Sequence, residues 1–193
     1  MTSTGRIAVA ITGASGIIYA KRFLEIIPSF FQSVYLTISS NAMKIMKDEL
    51  DILNVSDLFH EKFYDIIKQY DQNDLFAPPA SGSHSYDGLV VIPCSSGALG
   101  RIASGVSNDL ITRAADVCLK EKRKLILVVR ESPLNLIQLR NMTALAEAGA
   151  VILPACPAFY HNPDKMEDLV DFVVDRVLLS LGVDARAIEG WAE

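Results

Sequence analysis

The sequence predicts an α/β protein: a doubly wound, mainly parallel sheet with helices on both faces. Three observations predict it. Short runs rich in Val, Ile and Leu recur along the chain, and each is continuously apolar rather than alternating. Strands of that kind are buried on both faces, as parallel strands are. Segments of helical period separate them, which is the βαβ pattern. Finally, each run is followed by small, hydroxylic or charged residues: GASG, SSN, PCSSG, RES and PACPAFYH in turn. Ligands in such folds sit beyond the carboxyl ends of strands. The five segments therefore predict one site along one edge.

The elements follow in order. Residues 6–12 (RIAVAIT) read as the first strand and run into Gly13-Ala14-Ser15-Gly16. A helix follows on Ile17, Ile18, Phe23, Leu24 and Ile27, closed by Pro28. Residues 34–38 are the second strand, and Ser39-Ser40-Asn41 cap a helix over residues 42–50. Residues 54–88 are less regular: a connecting helix is expected first, then an ordered loop at Pro78-Pro79-Ala80-Ser81-Gly82-Ser83. Residues 89–92 are the third strand, stopped by Pro93, and residues 109–121 are helical in composition. Residues 125–129 are the fourth strand. Ser132-Pro133 supply an N-cap and first-turn proline for a helix that Gly149 ends. Residues 151–153 are a short fifth strand, and Asn162-Pro163 start a last helix on Met166, Leu169, Val170, Val173, Val177 and Leu178.

Composition narrows the function. The 193 residues are enough for one domain spanning 1–193 with a proper core. A net charge of −5 argues against general nucleic-acid binding. Cys94, Cys118 and Cys156 form no C-x-x-C pair, so neither a disulfide framework nor a zinc site is expected, and a reducing cytoplasm fits. His60, His84 and His161 make no ligand spacing with one another, so no metal is expected. No apolar run reaches the ~18 residues of a membrane span, and MTSTGRIAVA lacks a signal peptide's apolar core.

One stretch runs against the acidic background. Residues 93–133 hold seven of the 18 Lys and Arg residues and four acids, a net +3. Small residues that admit backbone amides lead into those cations, as phosphate binding requires. Gly13-Ala14-Ser15-Gly16 has the same logic at the first strand. Its G-x-x-G spacing is not the dinucleotide fingerprint, and Ser39, Ser40 and Asn41 stand where an NAD site wants an acid. Short hydroxyls suit a phosphate better than a ribose diol, which favours a mononucleotide such as FMN. Ser95-Ser96-Gly97-Ala98 repeats the pattern at the third strand, where turn and cap roles compete with ligand binding. Cys94 reads as a small buried residue rather than a nucleophile. Arg113 and Lys120, seven apart, share a helix face, and Arg130 and Glu131 follow the next strand. Lys122, Arg123 and Lys124 read as surface cations at a helix C-terminus. Glu49 by itself reads as solvated, and sequence alone does not pair Tyr160 with Arg176.

These motifs together make the chain recognisable. TGASG (12–16), PPASGS (78–83), PCSSGALG (93–100), LITRAADVCLKEKRKLILVVRESP (110–133), GAVILPACPAFYHNP (149–163) and a late Trp191 resemble the UbiX-type flavin prenyltransferases over nearly the whole length. Such proteins are Rossmann-like flavoproteins related to the flavin-containing cysteine decarboxylases. The resemblance implies transfer of a dimethylallyl group, usually from dimethylallyl monophosphate, to N5 and then C6 of reduced FMN without a metal. It implies delivery of the prenylated FMN to a UbiD-type decarboxylase, as in ubiquinone biosynthesis, and assembly into cytoplasmic dodecamers with sites at subunit contacts. It places FMN on Gly13, Ala14, Ser15, Ser39, Ser95, Ser96, Gly97, Ala98 and Arg130. It places dimethylallyl phosphate on Ser81, Arg113, Lys120, Arg130, Tyr160 and Arg176. Ser15, Glu49, Lys120 and Glu131 are the implied catalytic residues, with Glu49 a base for ring closure, Glu131 a proton relay, and Tyr160 or Trp191 a π-rich wall. Two other functions were open: an FMN-dependent decarboxylase of a cysteine-containing substrate, and a flavin carrier. The first would need a His near the first helix, which reads SGIIYAKRF; the second has no use for a second phosphate site.

Overall fold

The computed structural model describes residues 5–183; Trp191 lies outside them. Six strands form one sheet: β1 (Arg6–Ile11), β2 (Ser33–Ile38), β3 (Ile67–Tyr70), β4 (Gly88–Cys94), β5 (Lys124–Val129) and β6 (Val151–Pro154). Their order is β3-β2-β1-β4-β5-β6, and every pairing is parallel. The helices are α1 (Ile17–Ile26), α2 (Ser40–Leu50), α3 (Ser96–Ala103), α4 (Leu110–Lys120), α5 (Leu136–Glu147) and α6 (Met166–Leu181).

Strand alternation sorts the apolar residues into two cores. Ile7, Val9 and Ile11 of β1 point to one face and pack with Phe23 and Leu24 of α1, Met46 of α2 and Val173 and Val177 of α6. Ala8 and Ala10 point to the other, where Leu99 of α3, Val117 of α4 and Leu145 of α5 cover them. Ile7, Phe23, Leu24 and Leu99 are fully buried, and each such side chain contributes about 1.5–3 kcal/mol. The chain winds from β1 out to β3 on one side, then from β4 out to β6 on the other. The turns after β1 and β4 therefore diverge and leave a crevice between them.

Four expectations change. The connecting helix is absent: two 3₁₀ turns (Val55–Leu58 and Glu61–Phe63) lead into the unforeseen β3. Its four residues carry exposed Lys68 and Gln69, as an edge strand does, so no apolar run announced it. Ser96–Ala103 is a full helix rather than a turn. α5 is capped by Asn135, not Ser132: Asn135 Oδ1 accepts from Gln138 N at 2.9 Å, and Gln138 Oε1 accepts from Asn135 N at 2.9 Å. α6 starts at Met166 because Asn162 is left-handed (φ 51°) and Asp168 collects the amides of Asp164 and Lys165 instead.

Candidate active site

A cleft of about 470 Å³ opens at the predicted edge, lined by Thr12 and Gly13 after β1, Ser39, Ser40 and Asn41 after β2, and Gln72 after β3. Its far wall is Ser95, Ser96, Gly97 and Arg101 after β4, with Asn108 and Asp109 ahead of α4. That volume suits a small cofactor. Thr12 holds the two central turns together. Its Oγ1 donates to Pro93 O at 2.8 Å and accepts from Ser95 N at 2.8 Å. Ser39 Oγ accepts from Ala42 N, and Ser95 Oγ from Ala98 N, both at 3.2 Å. Both serines thus serve as N-caps, the bland role, and the helix N-termini they start converge on the cleft. The amides of Asn41, Ser96 and Gly97 have no partner among the described residues. Free first-turn amides carry partial positive charge and suit a phosphate. Gln72 fixes the rim, donating from Nε2 to Ser40 Oγ at 2.5 Å and accepting from Ser40 N at 3.3 Å.

The GASG turn is shaped by close approach. A Cβ on Gly13 would lie 2.7 Å from Asn41 Cβ, so only glycine lets the turn touch α2. Gly16 caps α1 with φ 102°. Glu49 is not simply solvated. Its carboxylate accepts from Gly16 N at 2.9 Å and Ile17 N at 3.0 Å, filling the N-terminus of α1 beside Ser15.

The remaining predicted residues fall into two groups. Arg130 and Glu131 follow β5, with Arg130 N donating to Cys94 O, one residue before the Ser95 turn, at 3.2 Å. Burial, then the charge of Cys156, raises the Tyr19 phenol, and Arg130 opposes them; the three groups are neighbours. Tyr160 packs edge-on against Phe172 of α6 at 5.9 Å, one turn before Arg176, which sets it beside the helix that carries Arg176. Ser81, Arg113 and Lys120 form the second group. Arg113 Nε donates to Ala80 O at 3.0 Å, Ser81 Oγ meets Ser83 Oγ at 2.8 Å, and Lys120 Nζ pairs with Glu121 beside Gly82. Lys120 ends α4 just before β5 begins, whereas Arg130 follows its end. Six residues of parallel strand rise about 20 Å, so one chain does not bring the two groups together.

Arg123 corrects the reading of a surface cation: it donates to Gly82 O at 2.6 Å and His84 O at 2.9 Å, and lies 4.4 Å over the Tyr86 ring. It clamps the Ser81 loop onto α4. Arg101 and Gln72 were missed. Arg101 is four residues after Gly97, which puts both on one face of α3, but that helix was not expected. Cys94 is fully buried, as expected. Burial pushes its thiol up to about 12 and that of Cys118 up to about 11. The thiolate is the nucleophile, so neither should be alkylated by iodoacetamide in native protein at pH 8; peptide mass mapping checks this. No group of metal-ligating side chains, and no helix long and apolar enough to cross a membrane, occurs among the described residues.

A fully parallel sheet in this order, with a phosphate-suited crevice at its switch point, defines a nucleotide-binding α/β protein of the doubly wound class. The chain belongs to the flavin prenyltransferases of the Flavoprotein family, whose profile matches residues 1–178. The flavin prenyltransferase UbiX of Methanocaldococcus jannaschii is 46% identical over 188 residues, covering 96% of this chain and 98% of the relative. A structure of AnUbiX (PadA1) in complex with FMN and dimethylallyl pyrophosphate superposes with a TM-score of 0.90 at 40% identity, covering 98% of each chain. A dodecameric FMN-dependent UbiX-like decarboxylase from Escherichia coli O157:H7 gives 0.89 at 35% identity, over 97% of this chain and 100% of that one.

Proposed function

We propose that this protein transfers a dimethylallyl group from dimethylallyl phosphate to reduced FMN, and that its product, prenylated FMN, serves a UbiD-type decarboxylase. The observation that carries this is the cleft at the switch point: free amides from two helix N-termini face space of cofactor size. Close similarity to flavin prenyltransferases supports the reaction. Reduced FMN supplies the nucleophilic N5 and C6. Gly13, Ala14 and Ser15, with Ser39, Ser95, Ser96, Gly97 and Ala98, would hold it through the turns they build.

Breaking the allylic C–O bond leaves negative charge on the departing phosphate. Fixed cations stabilise that charge best where water is excluded. Arg113, Lys120, Arg130 and Arg176 take this role, which a metal fills in diphosphate chemistry, and Glu131 relays a proton to the phosphate. Since Lys120 and Arg130 lie at opposite ends of β5, they meet only between copies of the chain. The surface agrees with assembly: α5 buries only Leu145 and leaves Leu136 and Ile137 61% and 69% exposed. The assembly is a homo-oligomer, on the dodecamer pattern, working in the cytoplasm.

The test is anaerobic incubation of the protein with reduced FMN and dimethylallyl phosphate, without added metal, followed by mass spectrometry of the flavin. A flavin heavier by one five-carbon prenyl unit is expected. Unmodified flavin in folded, flavin-loaded protein would sink the proposal. Running dimethylallyl pyrophosphate in parallel decides the donor.

A further inference from the structure

We infer that Arg101 is a phosphate-reading residue of the cleft, one that makes this protein select a flavin 5′-phosphate over the unphosphorylated flavin. Among the residues lining the cleft it is the only cation. The others are neutral donors and one acid, Asp109, so a dianionic phosphate there has no other side chain of opposite charge to meet.

The local geometry supports a free binding group rather than a structural one. Three arginines of the described chain are committed to structure: Arg22 to Asp171, Arg113 to Ala80 O and Asp116, and Arg123 to two loop carbonyls. The Arg101 side chain makes no hydrogen bond among the described residues. Its Nε is shielded from solvent without a partner, a costly condition that a rearranged contact with an anion relieves. Its one ionic neighbour is Asp109, whose Oδ2 stands 3.7 Å from Nη2, beyond hydrogen-bonding length. Asp109 is itself occupied in capping α4, where Oδ1 accepts from Thr112 N at 2.7 Å. It thus steadies the guanidinium without saturating it.

Direction completes the case. Side chains on a helix lean toward its N-terminus, so Arg101, in the second turn of α3, reaches back along the face that carries Gly97. Its Nη1 lies 3.8 Å from the point where a Gly97 Cβ would stand. The guanidinium thus lies against Gly97, next to the free amides of Ser96 and Gly97. Two helix N-termini provide amides and Arg101 provides the net charge. Arginine suits this place better than lysine because its planar fork can hold two phosphate oxygens at once.

The assignment rests on the cleft holding FMN, so the wild-type protein is the control. Full-length flavin-free protein would be titrated with FMN and with riboflavin, following flavin fluorescence, for wild type, Arg101→Ala and Arg101→Lys. The expected result is an FMN Kd raised at least about ten-fold in Arg101→Ala, partly recovered in Arg101→Lys, with riboflavin affinity changed less than about two-fold. The wild-type preference for FMN should also fall with added KCl. An unchanged FMN Kd in Arg101→Ala, or equal loss for both flavins, overturns the inference and leaves the flavin reading standing. Wild-type protein that binds no FMN overturns both. A melting temperature for each variant separates misfolding, and if Arg101→Ala is unfolded, a salt-independent wild-type preference is the overturning result.

Discussion

Replacing Lys120 by alanine should leave FMN bound and lower the kcat/KM of prenyl transfer by about 10²–10³-fold, the usual consequence of removing one preorganised group from developing charge. The two halves of that statement separate Lys120 from the cleft. Lys120 closes α4 near the start of β5, while the flavin turns lie beyond the strand ends. Nothing that holds the cleft together passes through Lys120: its contact is Glu121, and its neighbour is Gly82. Fold and flavin affinity should therefore survive. Turnover falls because the departing phosphate loses a fixed positive charge in a water-poor site. Flavin content by absorbance and single-turnover mass spectrometry read the two halves independently. A Lys120→Ala protein with unchanged turnover removes Lys120 from the reaction.

The sheet was legible because its strands are buried on both faces. Residues 89–92 and 125–129 have to be apolar throughout, and the helices between them have to carry a stripe, so periodicity alone located them along the chain. β3 was not legible for the converse reason: an edge strand with Lys68 and Gln69 in solvent needs no apolar run. Helix starts were misread at Ser132 and Asn162 because several good caps crowd each position, and only packing chooses between Ser132 and Asn135. In the site, glycines and serines were legible since the turn after a buried strand must be small and capped. Arg101 and Arg123 were not. Their significance comes from what stands opposite, Asp109 and the amides for one, Gly82 O and His84 O for the other. Those partners are up to 41 residues away in sequence. The wide separation of Lys120 from Arg130 was equally hidden: ten residues of sequence read as proximity, but they contain a turn and a full strand.

Gly13→Val is expected to abolish FMN binding, and its mixture with Lys120→Ala to restore activity that neither has alone. Even the first atom of any side chain at position 13 would sit 2.7 Å from Asn41 Cβ, which belongs to a helix start and not to a flexible tip. α2 has to move, at a cost of about 1–3 kcal/mol. Ser39 and the free Asn41 amide move with it, so the cleft loses one of its two helix N-termini. The fold should persist, since the core beneath β1 is untouched: Val9 and Ile11 remain buried among their neighbours. Such a chain still presents Lys120 and Arg113 on α4. If a working site draws its flavin cleft from one copy and Lys120 from another, co-refolded mixtures of equal parts place both wild-type contributions together in about a quarter of sites. Activity near that fraction of wild type is expected from two inactive parents. Mixtures as inactive as their parents, in assemblies shown by native mass spectrometry to contain both chains, would mean that Lys120 and the cleft serve each other within one chain. The 20 Å rise of β5 between them argues that they do not.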